Sequence, residues 1–88
     1  MNSVLIIDDD KALCTLMKKC VEQENLSAVV AYGGLEGLRL LEENKDICSL
    51  IILDVMMPDM DGFQVLQKIR EKYNVPVPVS YTHLRAHE

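Results

Sequence analysis

Three short apolar runs constrain this chain more than anything else in it: residues 4–7 (VLII), 28–31 (AVVA) and 50–53 (LIIL). A strand with one solvated face alternates apolar and polar side chains. An unbroken run of this length, rich in β-branched residues, reads instead as a strand covered on both faces. Between the runs the period changes. Leu13, Leu16, Met17, Cys20 and Val21 share one helical stripe, with Lys18, Lys19, Glu22 and Gln23 opposite, and Asp10 is expected to cap that helix. Leu35, Leu38 and Leu41 mark a second stripe after the Gly33-Gly34 break. Phe63, Val65, Leu66, Ile69 and Tyr73 mark a third, and a fourth strand is expected to begin at Val75-Pro76-Val77. The order βαβαβαβ implies right-handed crossovers, hence an α/β fold with a parallel sheet and helices on both faces.

Eighty-eight residues, 49% of them hydrophobic and 26% charged, make one globular domain. A chain this short buries only ~60% of its unfolded surface. No apolar run is long enough to span a bilayer, and the opening MNSVLIIDDD lacks a basic leader, so a cytoplasmic location without membrane attachment is expected. The net charge of −5 argues against nucleic-acid binding by this segment. Cys14, Cys20 and Cys48 are odd in number and form no C-x-x-C, so reduced, packed thiols are expected rather than disulfides or a zinc site.

Parallel α/β sheets bind ligands beyond the carboxyl ends of their strands. The first run ends at Asp8-Asp9 and the third at Asp54. If those strands are neighbours, three carboxylates crowd one sheet edge, and such crowding needs a compensating positive charge or a neutralised acid. A hard divalent cation, Mg²⁺ or Mn²⁺, answers that need, and Asp54, at the tip of the most apolar strand, is placed to act as a nucleophile towards a phosphoryl group. Asp59 and Asp61 read as loop or capping residues.

With these residues assembled, the sequence resembles the receiver domain of bacterial two-component response regulators. VLIIDDD is similar to the family's first strand and acidic pair, AYGGLEGLRLL to its second-helix entry, and LIILDVMMPDMDGFQVLQKIR to its phosphoacceptor strand, loop and third helix. The resemblance implies a flavodoxin-like doubly wound sheet in strand order 2-1-3-4, with the fifth strand missing. It implies that Asp54 is phosphorylated, that Asp9 binds Mg²⁺ directly with Asp8 as its acidic companion, and that the Met56 carbonyl is a further ligand. It implies a sensor histidine kinase as donor, an output domain outside this segment that carries any DNA binding, and a phosphorylation-dependent homodimer as one form of the parent protein. The receiver would catalyse only its own phosphorylation and dephosphorylation.

The family's hydroxyl on strand four and lysine on strand five have no counterpart before residue 78, so little activity is expected of the segment itself. Counted from Val75, Tyr81 takes the hydroxyl position and Thr82 misses it by one. Residues 79–88, VSYTHLRAHE, resemble the in-frame translation of a transposon-type sequencing adapter, GTC TCT TAT ACA CAT CTC CGA GCC CAC GAG. Residues 1–77 therefore read as a truncated receiver domain and 78–88 as a non-native tail. The alternative is a phosphatase of the haloacid-dehalogenase type, using the D-x-D formed by Asp8 and Asp10; it leaves the loop after Asp54 unexplained.

Overall fold

The structure, a computed structural model, describes residues 2–55 and 62–80. The elements run β1 (Ser3–Ile7), α1 (Lys11–Gln23), β2 (Ser27–Ala31), α2 (Gly34–Glu43), β3 (Cys48–Asp54), α3 (Gly62–Lys72) and β4 (Val79–Ser80). All strand pairs are parallel and the sheet order is β2-β1-β3-β4, as the βαβ pattern and the resemblance implied.

Alternate residues of β1 serve the two faces of the sheet. Leu5 and Ile7 join Ala31, Leu41, Ile51, Leu53, Val65, Leu66 and Ile69 in the core under α2 and α3. Val4 and Ile6 join Cys14 in a smaller core under α1, where Leu50 and Ile52 are only partly covered. A register slip between Ser3 and Val4, which pair with Cys48 and Leu50, puts Cys48 on the same face as Ile51.

Each helix turns its inner face somewhat away from the stripe read in the sequence. In α1 the inward line is Cys14, Met17 and Val21, leaving Leu16 59% exposed and Cys20 exposed, so only two of the three thiols are packed. In α2 the buried residues are Gly34, Gly37 and Leu41, and Leu35 is exposed. Gly37 permits this: a Cβ there would lie 2.6 Å from Cδ1 of Ile7, so the helix backbone can rest directly on β1. In α3 Val65, Leu66 and Ile69 are buried while Phe63 is half exposed. Glu42 of α2 ties the two helices on that face together, accepting from Lys72 Nζ at 2.9 Å and from the Tyr73 hydroxyl, with Lys45 Nζ at 3.0 Å. The Tyr73 and lysine hydrogen bonds hold its carboxyl down at about 2.

The fourth strand lies later than the sequence suggested, at Val79–Ser80 rather than from Val75. Proline chemistry explains the shift. Residues 75–78 already run beside β3, with the Ile51 amide donating to the Pro76 carbonyl (3.1 Å) and the Leu53 amide to the Pro78 carbonyl (3.3 Å). A parallel ladder needs an amide at residue 78 to return the next bond, and proline has none. Regular pairing begins only at Val79, opposite Leu53.

Helix α1 ends in a left-handed residue, Asn25 (φ 62°), which lets the Leu26 amide reach back to the Val21 carbonyl at 3.4 Å. Asn25→Val is expected to cost about 1–2 kcal/mol in urea denaturation, because a β-branched side chain resists this conformation, whereas Asn25→Gly stays within about 0.5 kcal/mol of the parent. Equal midpoints for the two variants would contradict this reading of the cap.

Candidate functional site

Parallel register carries the site. Ile7 of β1 pairs with Leu53 of β3, so the next residue on each strand, Asp8 and Asp54, stand level at the carboxyl edge of the sheet. Asp54 is the last residue of β3 rather than the first beyond it. The Asp8 amide donates to the Ala31 carbonyl at 3.0 Å, anchoring the end of β1 to β2. Asp8 and Asp54 are 2% and 1% exposed, while Asp9 is half-buried. Ligand oxygens of Asp8, Asp9 and Asp54 all lie within 4.8 Å of one another.

Electrostatics makes this arrangement unstable by itself. Burial pushes the Asp8 carboxyl up to about 6 against an opposing hydrogen bond from the Asp10 amide (2.9 Å), and the charges of Asp54 and Asp9 push the same way as burial. A hard divalent cation relieves this crowding: it prefers oxygen ligands, and its two positive charges offset most of the charge of the three carboxylates. The donor set therefore fits Mg²⁺ or Mn²⁺.

Asp10 is engaged elsewhere. Its side chain accepts from the Leu13 amide at 3.1 Å and caps α1, as the sequence suggested. The D-x-D alternative needed Asp10 beside Asp8 at the reacting centre; the carboxylates brought together are instead Asp8, Asp9 and Asp54. The Met56 carbonyl, Asp59, Asp61, Tyr81 and Thr82 lie outside the described residues.

Beside the site stands a residue that the sequence presents only as a packed thiol. Cys14, one turn into α1, points its thiol at the Asp8 carbonyl with Sγ to O at 3.2 Å. Burial, and then the negative charges of Asp8, Asp10 and Asp9, push this thiol up to about 11, so it stays protonated and a donor at neutral pH. Its spacing of four residues from the Asp10 cap was the available sequence signal.

The family model of the response regulator receiver domain matches residues 4–86. The transcriptional regulatory protein CpxR of Escherichia coli (strain K12) is 39% identical over 77 residues, covering 88% of this chain and 32% of CpxR. The transcriptional regulatory protein SrrA of Staphylococcus aureus is 40% identical over 76 residues, covering 86% of this chain and 31% of SrrA. Among solved structures, a two-component response regulator from Clostridium difficile superposes with a TM-score of 0.83 at 32% identity, over 90% of this chain and 64% of that one. The chain thus spans about a third of the length of these curated relatives.

Proposed function

The chain belongs to the response regulator receiver domain family, and from that premise we propose that Asp54 accepts a phosphoryl group from a histidine kinase while Asp8 and Asp9 hold Mg²⁺, or Mn²⁺, beside it. The observation that carries this is the convergence of three carboxylates, two of them buried, at one sheet edge. The cation supplies positive charge that offsets the oxygens of the incoming group. The rigid main chain of β3 presents Asp54, and its burial keeps competing water away. A carboxylate oxygen of Asp54 attacks phosphorus, the phosphorus–nitrogen bond of the donor breaks, and the imidazole leaves and takes its proton from solvent. The Met56 carbonyl completes the ligand set in this proposal. Asp54 would be modified once per cycle, with no turnover of an external substrate beyond its own gain and loss of phosphate.

No helix among the described residues is long and apolar enough to cross a membrane. Together with membership of the receiver family this supports a cytoplasmic signalling module. The curated relatives are transcriptional regulatory proteins about three times as long, which supports a DNA-binding output outside this segment; a phosphorylation-dependent homodimer of the parent is part of the same proposal. Residues 78–88 are proposed to be non-native. Main-chain pairing at Val79–Ser80 does not bear on that origin, since any extended residues form a ladder.

The test is incubation with phosphoramidate and Mg²⁺ over hours, to accommodate the slow transfer expected without the family's hydroxyl and lysine. Slow gain of acid-stable, alkali-labile phosphate, not exceeding one per chain, is expected, lost with EDTA and in Asp54→Asn. Label retained in Asp54→Asn would sink the assignment. Multiple turnover of a simple phosphate ester, abolished by Asp8→Asn, would favour the phosphatase alternative.

A further inference from the structure

We propose that Cys14 is a positioning residue for the metal site, fixing the Asp8-Asp9 peptide so that two adjacent carboxylates face one cation. The inference rests on the metal reading of the carboxylate cluster and adds to it a residue that lies outside that cluster.

The chain leaves β1 at Ile7 and enters α1 at Lys11, so residues 8–10 must turn and present two side chains to the same point within three residues. Neighbouring side chains on extended backbone point to opposite faces, and convergence therefore requires a defined bend. The Asp8 carbonyl belongs to the peptide between Asp8 and Asp9. Its direction sets ψ of Asp8 and φ of Asp9, and so the angle between their Cα–Cβ bonds.

Cys14 holds that carbonyl. Its Sγ lies 3.2 Å from the Asp8 oxygen, and its amide donates to the Asp10 carbonyl at 3.0 Å. The thiol is 1% exposed and packed in the core with Val4 and Ile6, so water does not compete for the bond and the sulfur is itself fixed in place. Asp10 completes the brace from the other end: its amide donates to Asp8 Oδ1 at 2.9 Å while its own carboxylate caps α1. The first turn of α1 thus grips the segment through residues 10 and 14, and Cys14 supplies the contact that reaches the Asp8-Asp9 peptide. Partners that orient ligands from outside the ligand set commonly alter metal affinity 10–100-fold when removed.

The experiment compares the unmutated 88-residue chain with Cys14→Ala and Cys14→Ser, using Mn²⁺ as the probe and the electron paramagnetic resonance signal of free aquo-Mn²⁺ as the readout. Both variants remove the volume of sulfur, and only serine keeps a donor. Alanine is expected to raise the Mn²⁺ dissociation constant about 10-fold and serine to stay within about 3-fold. In metal-free protein, exchange of the Asp10 amide is expected to quicken in the alanine variant and stay near the parent rate in the serine variant. Equal affinity and exchange in all three proteins would overturn the role of Cys14, as would equal weakening by alanine and serine, which would mark packing rather than the donor. Absence of Mn²⁺ uptake by the unmutated chain would instead bring down the metal reading itself, and the positioning role with it.

Discussion

Gly62→Ala is expected to destabilise the chain by about 3 kcal/mol or more and to displace the carboxyl end of β3. A Cβ at residue 62 would stand 2.2 Å from the Cα of Val55 and 2.6 Å from its carbonyl carbon and oxygen. All three atoms are main chain, so no rotamer change relieves the contact. Helix α3 cannot back away without withdrawing Val65, Leu66 and Ile69, each 8% exposed or less, from the core. Val55 cannot yield either without moving Asp54, its neighbour. Gly37 is a milder case, because a Cβ there meets the Ile7 side chain rather than backbone. The checking measurement is urea denaturation followed by circular dichroism. A Gly62→Ala midpoint close to the parent's would show that α3 does not approach the Val55 main chain this closely.

The metal-free chain is expected to be more stable at pH 5 than at pH 7, by about 1–2 kcal/mol, and Asp8→Asn is expected to abolish that difference. The sign follows from Asp8. Its folded carboxyl titrates at about 6, above the ordinary 3.8, so the folded state binds the proton more tightly than the unfolded state does. The resulting stability is fully present below about pH 4 and is lost as pH rises through about 6. Glu42 acts in a separate window: its lowered carboxyl gives stability that disappears as pH falls from its ordinary 4.5 through about 2. Asp8→Asn removes the charge that burial and its neighbours oppose, and should raise the melting temperature at pH 7 by roughly 5–10 °C. Mg²⁺ at millimolar concentration should raise the melting temperature of the parent at pH 7, do so far less at pH 5 where it competes with the proton, and barely affect Asp8→Asn. A parent whose melting temperature falls on going from pH 7 to pH 5, or an asparagine variant that Mg²⁺ stabilises as much as the parent, would contradict the site as drawn.

Legibility varied by element. The strand runs read correctly because burial on both faces leaves an uninterrupted apolar pattern, and β1 and β2 each begin only one residue before it. The helices were placed correctly but their inner faces were not. Leu16, Leu35 and Phe63 satisfied the helical period, yet the face that meets the sheet is chosen by close approach, through Gly37 on Ile7 and Gly62 on Val55. A hydrophobicity pattern assigns glycine no side, so it cannot report these contacts. The fourth strand shifted because Pro76 and Pro78 accept bonds from β3 without returning them.

For the site, the residue types and their strand-tip positions determined by themselves that Asp8, Asp9 and Asp54 were the candidates, since carboxylates ending apolar strands are visible in one dimension. The pairing of Ile7 with Leu53, the convergence of Asp8, Asp9 and Asp54 within 4.8 Å, and the Cys14 contact to the Asp8 carbonyl were decided only in three dimensions. Residues 8 and 54 are remote in the chain, and nothing local to either encodes the register that makes them neighbours. That register follows from the joint packing of β1 and β3 between helices on both sides, which is a property of the assembled sheet.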